Sequence, residues 1–255
     1  MASLKTKSQD GVLTVTIDRP RKRNALSREV LAELAETFTA AAEDEGLKAA
    51  VVTGAGDKSF AAGGDLKDLE GIRTLKGAKE MADGAKQAFE TIRRFPVPVL
   101  AALNGDALGG GAELAVACDF RVFAHHARIG FVQGRLNIST AWGGGVDLMR
   151  LVGPATGLRL LSMGEMIAGP EAIRIGLGDA TASPGQPLAE LVADFLAPLK
   201  AQAPQALRAF KAVAQAARFG ESRADMWKLE TETFSRTWVH DDHWKAAEAL
   251  LGGKK

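Results

Sequence analysis

The residues best suited to chemistry in this 255-residue chain lie in two glycine-bearing segments. One is Phe60-Ala61-Ala62-Gly63-Gly64-Asp65-Leu66. The other is Asn104-Gly105-Asp106-Ala107-Leu108-Gly109-Gly110-Gly111-Ala112-Glu113. Each follows a short apolar run, and each has glycines where a helical pattern begins. The first N–H groups of a helix lack intrahelical acceptors and lie at the positive end of its dipole. Glycine there leaves the backbone open to a ligand. Two such groups aimed at one point would stabilise a single developing negative charge, as in an oxyanion hole. Glu113 falls one turn after Gly110 in an apolar stretch. Solvated, it is an ordinary helical carboxylate. Buried, its pKa rises toward the range useful for acid–base work near neutrality.

Blander readings compete. Glycines after strands also serve as plain turns or close-packing points. Thr53-Gly54-Ala55-Gly56 imitates a dinucleotide fingerprint, but the third glycine of that motif would fall on Ser59. The sequence contains no P-loop and no G-x-S-x-G elbow. The single cysteine, Cys118, excludes an intrachain disulfide and a Cys-based zinc site, and it reads as a small buried hydrophobe. His240-Asp241-Asp242-His243 has the composition of a metal site but reads as the exposed acidic start of a helix, so no metal is expected. A formal net charge of +1 gives no electrostatic case for nucleic acid or an anionic membrane. No apolar run reaches the ~18 residues of a membrane span. The N-terminus has no apolar secretory region. A cytoplasmic enzyme is the expectation.

The elements that must hold these segments alternate. Gly11–Asp18 reads as a strand, broken by Arg19-Pro20 and the basic loop that follows. Ser27 is placed to cap a helix with Val30, Leu31, Leu34 and Phe38 on one face. Ala49–Thr53 and Val99–Leu103 read as buried strands, with a long helix over Gly77–Arg94 between them and a turn at Asn104-Gly105. This alternation predicts α/β layering. From about Pro187 onward the pattern is almost wholly helical. The expected organisation is a core over residues 1–195 and a helical subdomain over 196–255.

The two segments also carry a family resemblance. SFAAGGDLKDL and PVLAALNGDALGGGAELAVACD resemble the two oxyanion motifs of the crotonase (enoyl-CoA hydratase/isomerase) superfamily, and the likeness runs over nearly the whole chain. It implies a crotonase-like spiral of ββα units followed by a helical C-terminal region, assembled as a homotrimer or a dimer of trimers. Gly64 and Gly110 would then supply the oxyanion N–H groups, and Glu113 would match the first hydratase glutamate. Coenzyme A would arrive as part of an acyl-CoA thioester substrate, with no tightly bound cofactor. Lys22, Arg23 and Ala25 would lie near the adenine and 3′-phosphate. Ala62, Asp65 and Leu66 would line the adenine and pantetheine path, and Phe234 and Lys254 match the tail that reaches the nucleotide.

The sequence departs from the hydratase pattern at Gln133, where the second glutamate of that family belongs. An amide cannot act as an acid, but it can orient a water or a carbonyl. Ala141 stands where family dehalogenases carry an aspartate nucleophile, so that chemistry is not expected. Trp142 reads either as a wall of the acyl pocket or as a packed aromatic. The nominal expectation is hydration of a 2-enoyl-CoA. The alternatives are decarboxylation of a malonyl-type CoA thioester, enoyl-CoA isomerisation, or acyl-CoA binding without catalysis.

Overall fold

The computed structural model describes residues 3–252. The chain opens with β1 (Leu4–Gln9), β2 (Val12–Ile17), α1 (Arg28–Ala41), β3 (Ala49–Gly54) and β4 (Ser59–Ala61). Then come α2 (Leu66–Leu69), α3 (Leu75–Arg93), β5 (Val99–Leu103), β6 (Asp106–Leu108) and α4 (Gly110–Ala117). The middle holds β7 (Phe120–Phe123), β8 (Arg128–Gly130), α5 (Gly144–Val152), α6 (Pro154–Met163), β9 (Met166–Ala168), α7 (Gly169–Arg174) and β10 (Ala180–Thr181). The last helices are α8 (Leu188–Lys200), α9 (Pro204–Phe219), α10 (Arg223–Trp238) and α11 (Asp241–Gly252).

Two sheets form. The larger has the order β1-β2-β3-β5-β7-β10, parallel throughout except for β1. The smaller has the order β4-β6-β8-β9, with only β9 antiparallel. β3 and β5 are unbroken apolar runs because both of their faces are covered. Ala50, Val52, Ala101 and Leu103 face the main core with residues of α1, α3 and α4. Ala49, Val51, Leu100 and Ala102 face the other way, onto Leu196 of α8. Successive side chains of a strand point to opposite faces, so one run feeds two cores.

Ser27 caps α1 as expected, its Oγ accepting from Val30 N at 3.4 Å, and Val30, Leu31, Leu34 and Phe38 are buried. The long helix starts at Leu75 rather than Gly77 because Thr74 caps it, Oγ1 accepting from Gly77 N at 3.1 Å. The expected division between residues 195 and 196 falls inside α8. Beyond it, α10 and α11 bury no described residue within the chain. No described helix is long and apolar enough to cross a membrane.

Candidate active site

The two glycine segments enter the site by different local structures. Gly110 is the first residue of α4, with Gly109 as the preceding cap and Glu113 N closing the first turn onto Gly109 O at 3.0 Å. Its N–H is therefore one of the helix's orphan donors, as expected. Gly64 is not at a helix start. The helix that follows has four residues and begins only after Asp65, and Gly64 instead pairs with Leu26 in an isolated parallel bridge. Leu26 N donates to Gly63 O at 2.8 Å and Asp65 N donates to Leu26 O at 2.9 Å. Peptide groups alternate sides along an extended chain, so the Gly64 N–H is turned away from Leu26. An ideal Cβ on Gly63 would lie 3.4 Å from Gly110 N, which puts the two segments side by side.

Buried asparagines fix this arrangement. Asn104 Oδ1 accepts from Gly54 N at 2.9 Å, and its Nδ2 donates to Gly56 O at 2.8 Å and Ser59 O at 3.1 Å. Asn24 Nδ2 donates to Ala55 O at 3.0 Å and Ser59 O at 2.6 Å. The expected turn at Asn104-Gly105 is thus also a clasp between the lead-ins to both glycine segments. Gly105 crosses so close to Lys58 that a Cβ would sit 2.3 Å from a backbone carbon.

Glu113 is buried, at 2 % exposure, which decides between its two readings. Its Oε2 accepts from Trp142 N and from Gly144 N, both at 2.9 Å, and its Oε1 accepts from Gln133 Nε2 at 2.9 Å. Burial pushes its pKa above the usual carboxylate range, and the three donors only partly offset that. Gln133 is 8 % exposed, and its Oε1 is buried with no protein partner. A buried orphan acceptor costs free energy unless a ligand or water supplies a donor.

Trp142 is a packed aromatic. It is 6 % exposed and meets Phe89 edge-on, with ring centroids 5.8 Å apart. Its carbonyl accepts from Arg93 Nη2 at 3.1 Å, and Arg93 Nε binds Asp147 Oδ2 at 2.8 Å. Arg218 of α9 closes on the other oxygen of Asp147 at 2.9 Å. Arg93 went unnoticed in the sequence. Its signal was a charged residue at the inward end of an amphipathic helix, where it is 5 % exposed.

The basic loop also reaches the site. Ala62 N donates to Arg23 O at 3.1 Å, which brings Lys22, Arg23 and Ala25 beside Ala62, Asp65 and Leu66. Asp65 is paired with Arg19 at 2.8 Å and with Lys22 at 3.4 Å. Burial opposes ionisation of Asp65, but these two cations hold its pKa below the ordinary value. Arg19, read only as part of a strand break, therefore shapes this edge. Lys22 and Arg23 remain exposed. Phe234 stands on α10, which packs chiefly on α9, so a single chain does not bring it to the glycine segments. Lys254 lies outside the described residues. Cys118 is buried, and burial pushes its thiol pKa up to about 12.

With this geometry established, three comparisons with known proteins agree. A crotonyl-CoA hydratase of Syntrophomonas wolfei subsp. wolfei is 33% identical over 247 residues, covering 97% of this chain and 94% of that protein. An ethylmalonyl-CoA decarboxylase of Xenopus laevis is 29% identical over 91% of this chain and 78% of that protein. The crystal structure of an enoyl-CoA hydratase from Bacillus anthracis superposes with a TM-score of 0.91 at 28% identity, over 98% of this chain and 96% of that one. The profile of the enoyl-CoA hydratase/isomerase family matches residues 7–252, and the chain belongs to that family.

Proposed function

We propose that the protein hydrates a 2-enoyl-CoA thioester with one working carboxylate. The observation that carries this reading is Glu113, a buried carboxylate one turn from Gly110 and joined to an amide whose own oxygen has no partner. The thioester oxygen binds between the N–H groups of Gly64 and Gly110, which stabilise the enolate as it forms. A water donates one hydrogen to the free lone pair of Glu113 Oε1 and the other to Gln133 Oε1. Its oxygen adds to C3 of the substrate while its proton passes to Glu113. That proton then moves from Glu113 to C2, which regenerates the carboxylate and completes the addition of water. Gln133 never gains or loses a proton. It holds the water and the carboxylate in register.

Coenzyme A comes and goes with the substrate. Lys22 and Arg23 meet its phosphates as charged donors, and Ala25, Ala62, Asp65 and Leu66 border the path to the thioester. The exposed apolar residues of α10 and α11, among them Trp227, Phe234, Trp238 and Leu250, support assembly of the helical tail with other copies. A homotrimer or dimer of trimers would bury them and could carry Phe234 and Lys254 to a neighbouring nucleotide. A second reading is decarboxylation of a malonyl-type CoA thioester, favoured by Gln133. The hole alone stabilises the enolate left by CO₂, and the likeness to a decarboxylase fits.

The deciding experiment compares wild type, Glu113→Gln and Gln133→Glu on crotonyl-CoA and on ethylmalonyl-CoA. For a one-carboxylate hydratase, Glu113→Gln loses at least ~10²-fold in hydration, in line with the loss of a general base. The wild-type rate rises with pH through the raised pKa of Glu113, because the base must be ionised, and shows no alkaline fall from a second carboxyl. Hydration that survives Glu113→Gln unchanged defeats the assignment. Fast decarboxylation that tolerates Glu113→Gln establishes the second reading instead.

A further inference from the structure

Gly64 and Gly110 are not required to be glycine by their backbone. Neither has a positive φ, whereas their neighbours Gly63 and Gly109 do, at 91° and 52°. What crowds both positions is the indole of Trp142, severely at Gly110 and, together with the end of Leu69, mildly at Gly64. A Cβ on Gly110 would lie 2.3 Å from its Cζ3, and a Cβ on Gly64 would lie 3.2 Å from its Cη2. These are adjacent atoms of one six-membered ring, so the ring sits in the seam between the two glycines. We propose that the Trp142 indole ends the acyl-binding space, so that the site takes thioesters of short acyl groups and rejects long straight chains. This rests on the thioester reading above.

The wall is held from every side. Phe89, itself fully buried, backs the ring edge-on. The Trp142 N–H is committed to Glu113 and its carbonyl to Arg93. These backbone bonds fix the point from which the ring projects, and the packing on Phe89 braces the ring itself. A substrate whose oxygen lies between the two glycine N–H groups and whose C2 and C3 lie against Glu113 therefore meets the indole within a few bonds. The adjoining open space is a surface cleft of about 590 Å³ whose apolar lining, Leu66, Leu69, Ile72, Leu136 and Ile138, is interrupted by Lys67, Glu70 and Arg73. Leu66, Leu136 and Ile138 are more than half exposed, so a chain laid there stays partly in water and gains less per methylene.

The test is calorimetric binding of free CoA, butyryl-CoA and decanoyl-CoA, which needs no turnover and so does not depend on which reaction is catalysed. Wild type should bind butyryl-CoA at least ~10-fold more tightly than decanoyl-CoA, the scale on which a closed pocket discriminates extra methylenes. Trp142→Ala should reverse that preference. Trp142→Phe, which keeps an aromatic ring against Phe89 and protects the fold, should lie between. Equal wild-type affinity for the two esters, with CoA binding intact, overturns the wall and routes the chain along the Leu66–Ile138 cleft. A folded Trp142→Phe or Trp142→Ala protein with the wild-type preference also overturns it. Failure of free CoA and both esters to bind defeats the thioester reading itself, and the wall with it.

Discussion

The two glycine segments reach the same candidate site with opposite kinds of support. Gly110 opens an eight-residue helix in which every residue is buried, and the Glu113 carboxylate tied to Trp142 and Gly144 locks that helix to the start of α5. Gly64 belongs to a strand-like stretch held by two bonds to Leu26, and it runs straight into the Asp65–Arg19–Lys22 cluster, of which Lys22 faces solvent. One glycine is positioned by close packing, the other by a short bridge and partly screened charges. Dense interiors transmit small errors, whereas exposed edges relax around them. The same added atom should therefore cost very different amounts on the two sides.

The largest expected effect is the contrast between Gly110→Ala and Gly64→Ala. Both keep the N–H and neither is forced into an unfavourable φ, so the added methyl acts only by its bulk. At Gly110 that methyl meets Trp142 at 2.3 Å and has nowhere to go. The donor should be displaced and turnover should fall by ~10²-fold, the cost of losing one oxyanion donor. Overpacking should also remove ~1–3 kcal/mol of stability. At Gly64 the methyl meets the flexible end of Leu69 at 3.0 Å and the indole at 3.2 Å, so a shift of a few tenths of an ångström suffices. Turnover there should fall by ~10-fold or less. Combining Gly110→Ala with Trp142→Phe should restore part of the loss, because the two changes share one contact. Equal losses at the two glycines, measured as kcat on the same ester, would erase the distinction.

A smaller effect tests whether the packed side is held through Arg93. This side chain is buried against Asp147 and the Trp142 carbonyl. It acts through the Trp142–Gly144 backbone, whose N–H groups bind Glu113. Arg93→Gln should lower kcat by ~10-fold with little change in KM, the signature of an interaction needed only as charge develops. Loss of well-aimed donors should also raise the Glu113 pKa further and move the acid limb of the pH–rate profile to higher pH. Arg93→Lys keeps the charge opposite Asp147 but cannot bridge to the Trp142 carbonyl as well, so it should recover only part. A loss of thermal stability with an unmoved acid limb would make Arg93 merely structural.

What could be read in the sequence follows the same division. The buried strands, the capped first helix, the Gly110–Glu113 helix start and the helical tail were legible because burial writes long apolar periods and caps use few residue types. β1 was missed because LKTKSQ has Leu4 as its one buried residue and is otherwise a charged edge strand. β4, β6, β8 and β9 are three residues each, too short to show any period. Gly64 was misplaced at a helix start because a glycine before Asp-Leu-Lys-Asp-Leu looks like one. Its true setting depends on Leu26, 38 positions earlier. Arg93, Asn24 and Asn104 act across similar separations, which local reading does not reach.

The smallest effect lies on the exposed side. Asp65 has a depressed pKa in the folded chain: burial resists its ionisation, and hydrogen bonds from Arg19 and Lys22 prevail. The unfolded chain binds a proton to this group more readily than the folded one. Its contribution to stability is therefore present above the unfolded pKa and is lost as pH falls through the folded value. Asp65→Asn should accordingly unfold at a slightly lower temperature than wild type near pH 7, and the gap should close as both are acidified below the ordinary aspartate pKa of about 3.9. The gap itself should be modest, about 1 kcal/mol or less, because Lys22 is more than half exposed and its share is screened by salt. The same titration on Gly110→Ala should leave its deficit unchanged over that range, since a steric clash carries no proton. A deficit that vanishes with acid for Asp65→Asn and persists for Gly110→Ala separates support by charge from support by packing. Two parallel lines would mean that the first donor segment is held by its bridge to Leu26 alone.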